Sequence, residues 1–113
     1  MTGGCALDVY RSLTYIVIPE VDRDFEWDQR KSDRNVLERA LPFDLAVLLF
    51  NGPTLERRDV RWDYGEPRVL AIGHAGGVIL HCVYTDRGPV RRIISLRRAN
   101  RRERDVYRAA FQN

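Results

Sequence analysis

Between Arg91 and Arg108, eight arginines stand against two acids, Glu103 and Asp105. The local excess of +6 is twice the net +3 of the chain, so the residues before Arg91 are acidic on balance. A field gathered at one end suits a polyanion, because guanidinium groups grip phosphate oxygens in pairs. Arg97 and Arg98 precede a helix start, and on that helix Arg101, Arg104 and Arg108 recur at spacings of three and four. They therefore share one face. Such a stripe can lie along an RNA backbone, receive an acidic protein segment or simply face water. The size of the local excess makes the last the poorest fit.

The elements that must position these groups read as follows. Asp28 is placed to cap a helix running to about Ala40, with Val36, Leu37, Ala40 and Leu41 spaced to form an apolar face. Phe43 to Phe50, apolar nearly throughout, predicts a buried second helix stopped by Asn51-Gly52-Pro53. Four strand-like runs follow, Thr54–Val60, Arg68–Gly73, Val78–Thr85 and Val90–Leu96. The last two links are short and carry glycine, which predicts antiparallel neighbours. Asn100 with Glu103 approximates a capping box for a final helix whose Val106, Ala109 and Ala110 are expected to face the sheet. The expected fold is α+β: two N-terminal helices, a four-stranded antiparallel meander and a C-terminal helix. Residues 1–24 read as an N-terminal extension, with Thr14 to Ile18 either an appended strand or part of a loosely held tail, and residues 25–113 as the domain.

Composition narrows the function classes. A chain of 113 residues, 44% hydrophobic, makes about one domain with a real core. Its 19 basic residues are 18 arginines and Lys31. Two cysteines, Cys5 and Cys82, make no disulfide framework, so the cytoplasm is the expected compartment. No run reaches the roughly 18 apolar residues of a membrane span, and the first residues do not read as a signal peptide. The two histidines and two cysteines have no metal-ligand spacing. Gly73 to Gly77 lacks the following helix of a phosphate loop.

Several segments, in order, carry a resemblance: Phe25-Glu26-Trp27-Asp28, Lys31 and Asn35; Glu66, Arg68 and Ile72-Gly73; Tyr84-Thr85-Asp86-Arg87-Gly88; Arg92-Ile93-Ile94-Ser95; and Arg97-Arg98-Ala99-Asn100-Arg101-Arg102-Glu103. Over about residues 25 to 108 the chain resembles the BrnT toxins. The resemblance implies a RelE-like fold and a ribonuclease toxin with neither metal nor organic cofactor. It also implies a BrnA-like ribbon-helix-helix antitoxin as partner in a heterotetramer, with operator DNA reached only through that antitoxin. One departure stands out: Glu38-Arg39-Ala40 replaces the usual Lys-His-Gly between the first two helices. Pro42 is then expected to stop the helix in place of glycine.

A metal-free ribonuclease must take a proton from a ribose 2′-OH, stabilise a phosphorane and protonate the leaving 5′-oxygen. Arg92 and Arg68, on candidate strands at matching family positions, are the expected phosphate clamps, with Lys31 a third cation. Cross-strand pairing with Glu66 or Asp86 is the competing reading for both arginines, and a solvated helix position competes for Lys31. Glu103 is the candidate base, although nearby arginines would weaken it and a glutamate three residues after a cap commonly serves the cap. His81 reads as a core or sheet-face histidine. Trp27, Trp62 and Tyr64 read as core anchors more readily than as base-stacking groups. The leading expectation is an RNA-cleaving toxin silenced by its antitoxin. An inactive chain that only supports the antitoxin is the rival, and an RNA-binding module is a more distant one.

Overall fold

The computed structural model describes residues 15–20 and 22–111. In chain order its elements are β1 (Ile16–Ile18), β2 (Asp24–Trp27), α1 (Gln29–Arg39), α2 (Leu45–Phe50), β3 (Thr54–Arg58), β4 (Val69–Ala75), β5 (Val78–Arg87), β6 (Val90–Arg98) and α3 (Arg101–Phe111). The sheet has six strands in the order β1-β3-β4-β5-β6-β2, with every neighbouring pair antiparallel except β2 with β6. This corrects the expected four-stranded antiparallel sheet behind two N-terminal helices. The sheet is mixed, and two strands precede the helices. The β3 to β6 meander is present, but each of its edges is extended by a strand from the N-terminal segment. β1 lies within the expected Thr14–Ile18 run, of which Thr14 falls outside the described residues. β2 is four residues long, and only its partner, far along the chain, makes it a strand.

Asp28 caps α1 as its residue type dictates, its carboxylate accepting from the Arg30 N–H at 2.9 Å. The expected apolar face does not hold α1 in place: Leu37 is 88% exposed, and the buried residues of the helix are Ser32 and Asn35. The reason is the surface α1 meets. It docks on backbone, with Asn35 Nδ2 donating to the carbonyls of Leu41 (2.7 Å) and Leu96 (3.0 Å), and Ser32 Oγ accepting from Phe43 N (2.9 Å). Nor does Pro42 replace the missing glycine. Ala40 itself turns left-handed, with φ 59°, and its N–H returns to the Asn35 and Val36 carbonyls.

α2 buries Ala46, Leu49 and Phe50 on one face of the sheet, against Ala71, Leu80, Cys82, Tyr84, Ile93 and Leu96. The approach is close: a Cβ on Gly73 would meet the Leu49 side chain at 2.6 Å, so only glycine fits at that point of β4. α3 covers part of the other face, where Tyr107 joins Leu55, Ile72 and Ile79. Its capping box is complete, Glu103 N donating to Asn100 Oδ1 and Asn100 N to Glu103 Oε1. Tyr107, Val106 and Phe111 face the sheet, whereas Ala109 and Ala110, expected there, are exposed.

Candidate active site

The register of β5 with β6 decides which arginines share a face. Val83 pairs with Ser95 and the next residue, Tyr84, with Ile93, so Ile94 is an extra residue on β6. A bulge shifts the alternation by one. Beyond it Arg92 lies opposite Thr85, on the face that also carries Ser95, Arg97 and His81. Without the bulge Arg92 would point to the opposite face. Arg91 does point there, buried between the rings of Phe50 (4.7 Å) and Tyr84 (3.8 Å) and paired with Asp86 at 2.8 and 3.1 Å. One of the eight arginines of the C-terminal segment is therefore structural.

At the open end of the face, arginines and carboxylates alternate. Arg92 Nη1 lies 3.3 Å from Glu26 Oε2, and Glu26 in turn 4.0 Å from Arg87. Arg87 Nη2 reaches Glu66 at 3.2 Å, and Arg68 stands 3.9 Å from the same carboxylate while stacking over the Tyr64 ring at 4.1 Å. Three arginines to two glutamates leave this ladder with a net positive charge. Its guanidiniums are partly open, the Arg68 and Arg92 side chains being 26% and 29% exposed. Arg68 Nε is buried with no hydrogen-bond partner. Arg68 and Arg92 thus belong to one array, each with a carboxylate neighbour. For Arg68 it is the expected Glu66. For Arg92 it is Glu26, supplied by β2.

Further along the same face, Glu103 serves its cap and two other groups at once. Arg97 grips it with two bonds of 2.9 Å, and His81 Nε2 lies 3.8 Å away. Burial pushes the Glu103 carboxyl up, but the Arg97 and Asn100 hydrogen bonds outweigh it and hold the group below its usual range. Burial, reinforced by Arg97, pushes the His81 imidazole down to about 4. At neutral pH His81 is uncharged and Glu103 ionised. His81 is a sheet-face histidine, as expected, and 7% exposed. Its meeting with Glu103 and Arg97 needed the register. Along β6, Arg97 stands roughly 15 Å from Arg92 at about 3.3 Å per residue, so Glu103 and Arg92 flank different parts of the face. Lys31 lies across the β6 edge, lining a groove of about 130 Å³ with Arg34, Arg39, Ile94 and Ser95.

The helical arginine stripe divides. Arg104 and Arg108, with Arg98, border a cavity of about 440 Å³ floored by Val78, Ile79, Tyr107 and Phe111. Arg101 is exposed, 4.0 Å from Asp105. Among the described residues no three His, Cys, Asp or Glu side chains converge as a metal site, and no helix is long and apolar enough to cross a membrane. Cys82 is a buried free thiol; Cys5 lies outside the described residues.

A family model described as the ribonuclease toxin BrnT of type II toxin-antitoxin systems matches residues 27–103. The chain belongs to the BrnT family. The match spans more than half of its 113 residues and runs from the end of β2 to Glu103, across the whole meander. No curated protein sequence matches the chain. As a BrnT-family chain it is a ribonuclease toxin of a type II toxin-antitoxin system, whose partner is a protein antitoxin. Two placements have little signal in the residues alone: the carboxylate of Glu26 against Arg92, and the outward position of Trp62. The alternation in Phe25-Glu26-Trp27, apolar to either side of a charge, is the only local signal for the first.

Proposed function

We propose that this BrnT-family chain cleaves single-stranded RNA without a metal ion, on the sheet face that carries Arg92. The ladder of Arg68, Arg87 and Arg92 carries this reading, because cations fixed in advance by protein carboxylates are poised where a phosphorane gathers negative charge. Arg92 and Arg68 hold the scissile phosphate and Lys31 a neighbouring one. Glu103, already engaged by Arg97 and Asn100, is too weak a base to be the main source of rate. In this reading it orients Arg97 and His81. The antitoxin is a BrnA-like ribbon-helix-helix protein that forms a heterotetramer with the toxin in the cytoplasm and carries the complex to operator DNA. The cavity edged by Arg98, Arg104 and Arg108 receives an acidic segment of it.

The test is cleavage of a long RNA by purified chain in excess EDTA. Products ending in 2′,3′-cyclic phosphate or 3′-phosphate are expected. Cleavage lost in EDTA and restored by magnesium would overturn the mechanism. A second reading, an inactive chain that only supports the antitoxin, draws on one observation: Glu26 and Glu66 already occupy the arginines a phosphate would need. Normal growth and intact transcripts on expression of folded chain without antitoxin would favour it.

A further inference from the structure

Trp62 is 72% exposed and Val60 81%, in the loop between β3 and β4. This loop is built to hold them out. The Asp59 carboxylate, in a side chain only 1% exposed, accepts from Arg61 N (3.2 Å), Arg61 Nε (2.8 Å), Arg61 Nη2 (2.8 Å) and Tyr64 Oη (2.9 Å). Asp59 N also donates to the Arg68 carbonyl at 2.8 Å, closing the loop at its base. Gly65 N returns to Asp63 Oδ1 at 3.0 Å, with Gly65 at φ 75°. A loop tied down in this way gives up little backbone freedom when something covers the indole it carries.

The surroundings decide what covers it. Arg57, Arg58 and Arg61 are exposed beside the loop, and Tyr64 lies beneath Arg68. The loop therefore continues directly into the arginine ladder. A flat π-face bordered by guanidiniums is the usual platform for single-stranded nucleic acid, in which bases stack on aromatics while cations follow the backbone. The cavity beside α3 offers no such face: Tyr107 is 9% exposed and packs against Phe111, with its hydroxyl on the Pro53 carbonyl.

We propose that Trp62 stacks on an unpaired base of the RNA substrate, next to the phosphate held by Arg68 and Arg92. The inference rests on the RNA-cleaving reading of that face and adds the element that selects single strands. Stacking worth about 1–3 kcal/mol per base implies that Trp62→Ala raises KM for single-stranded RNA by about tenfold, with kcat within about twofold and Trp62→Phe restoring most of the loss. Independently of cleavage, a short 2′-O-methyl oligoribonucleotide, which cannot react through its 2′ oxygen, should quench tryptophan fluorescence. The quench should vanish in Trp62→Phe protein, where Trp27 is the remaining tryptophan, and should be weak with the same sequence as a duplex.

If wild-type chain cleaves RNA but shows no Trp62-dependent quench, or if Trp62→Ala leaves KM unchanged, the stacking proposal falls and the cleavage reading stands. A Trp62-dependent quench in a chain that cleaves nothing supports stacking and removes the cleavage reading. Antitoxin affinity lost in Trp62→Ala with RNA kinetics intact would overturn the proposal and assign the loop to the protein partner.

Discussion

Glu26 and Arg92 occupy facing positions on β2 and β6, and their side chains meet at 3.3 Å. A strand supplied by the N-terminal segment therefore places a carboxylate against the cation at one end of the arginine ladder. The pair is partly exposed, with side-chain exposures of 42% and 29%, so it adds little to stability. Its effect falls on the free charge of Arg92. An entering phosphate has to displace Glu26 or share the guanidinium with it.

Removing the competitor should therefore tighten RNA binding, and removing the cation should stop cleavage. Glu26→Gln is expected to lower KM for RNA several-fold. Arg92→Ala should reduce kcat/KM by about a hundredfold or more, the range seen when one fixed electrostatic group is lost from a transition state. Steady-state kinetics on folded variants decide it. Full activity in Arg92→Ala would move the main cation to Arg68 or Lys31.

His81 should make the fold acid-sensitive. Its imidazole is pushed by burial from 6.5 to about 4, with Arg97, Arg57, Arg61 and Glu103 as its charged neighbours. The unfolded chain binds a proton near pH 6.5 that the folded chain refuses until about pH 4, so stability falls as pH drops through that window. The loss through this group is on the order of 3 kcal/mol at pH 4. His81→Gln should flatten the melting-temperature profile between pH 7 and pH 4.5. An unchanged slope would assign the acid loss to carboxylates such as Glu103.

Ala40 bears a left-handed backbone at φ 59°, which costs an alanine about 1 kcal/mol or more. Glycine avoids the clash but loses more freedom on folding. Ala40→Gly is then expected to stabilise by about 0.5–1 kcal/mol and raise Tm by roughly 2–5 °C. A lower Tm in thermal melts would mean that the Ala40 side chain contributes packing that outweighs the strain.

Arg104 and Arg108 edge the cavity on one flank of α3, while Glu103 faces His81 and Arg97. Charge reversal of the two arginines should weaken antitoxin binding by about a hundredfold, as expected when paired cations at a partly buried contact are lost. RNA cleavage should remain near the wild-type rate. Calorimetric titration with antitoxin, set beside cleavage kinetics, reads both. Unchanged antitoxin affinity would leave the cavity without its assigned partner.

Local signals in the sequence revealed the meander, the Asp28 cap and the Asn100–Glu103 capping box, because each depends on residues within a few positions of one another. Pairing across the chain did not show. β2 is a strand only because β6 lies beside it, and two half-buried aromatics flanking Glu26 resemble the approach to a helix. Leu37 fitted an apolar helix face by spacing and is exposed, since Ser32 and Asn35 make the contact instead. Arg92 and Arg68 stand out in the sequence by type and position, but the extra residue Ile94 sets the direction of Arg92, and a one-residue bulge leaves no trace in composition. Trp62, grouped with core anchors, stands in solvent because Asp59 folds its loop outward.

The strand order carries a constraint of contour length. β1 and β2 lie at opposite edges of the sheet, five strand spacings apart, or about 24 Å at about 4.8 Å each. Only six residue steps lead from Ile18 to Asp24, and fully extended chain covers at most about 22 Å in that many. The connection has no slack. Twist and curl must draw the two edges toward each other for the chain to reach at all. Lengthening this connection should be tolerated, whereas deleting one residue from it should pull β1 off β3 or β2 off β6, and in the second case take Glu26 away from Arg92.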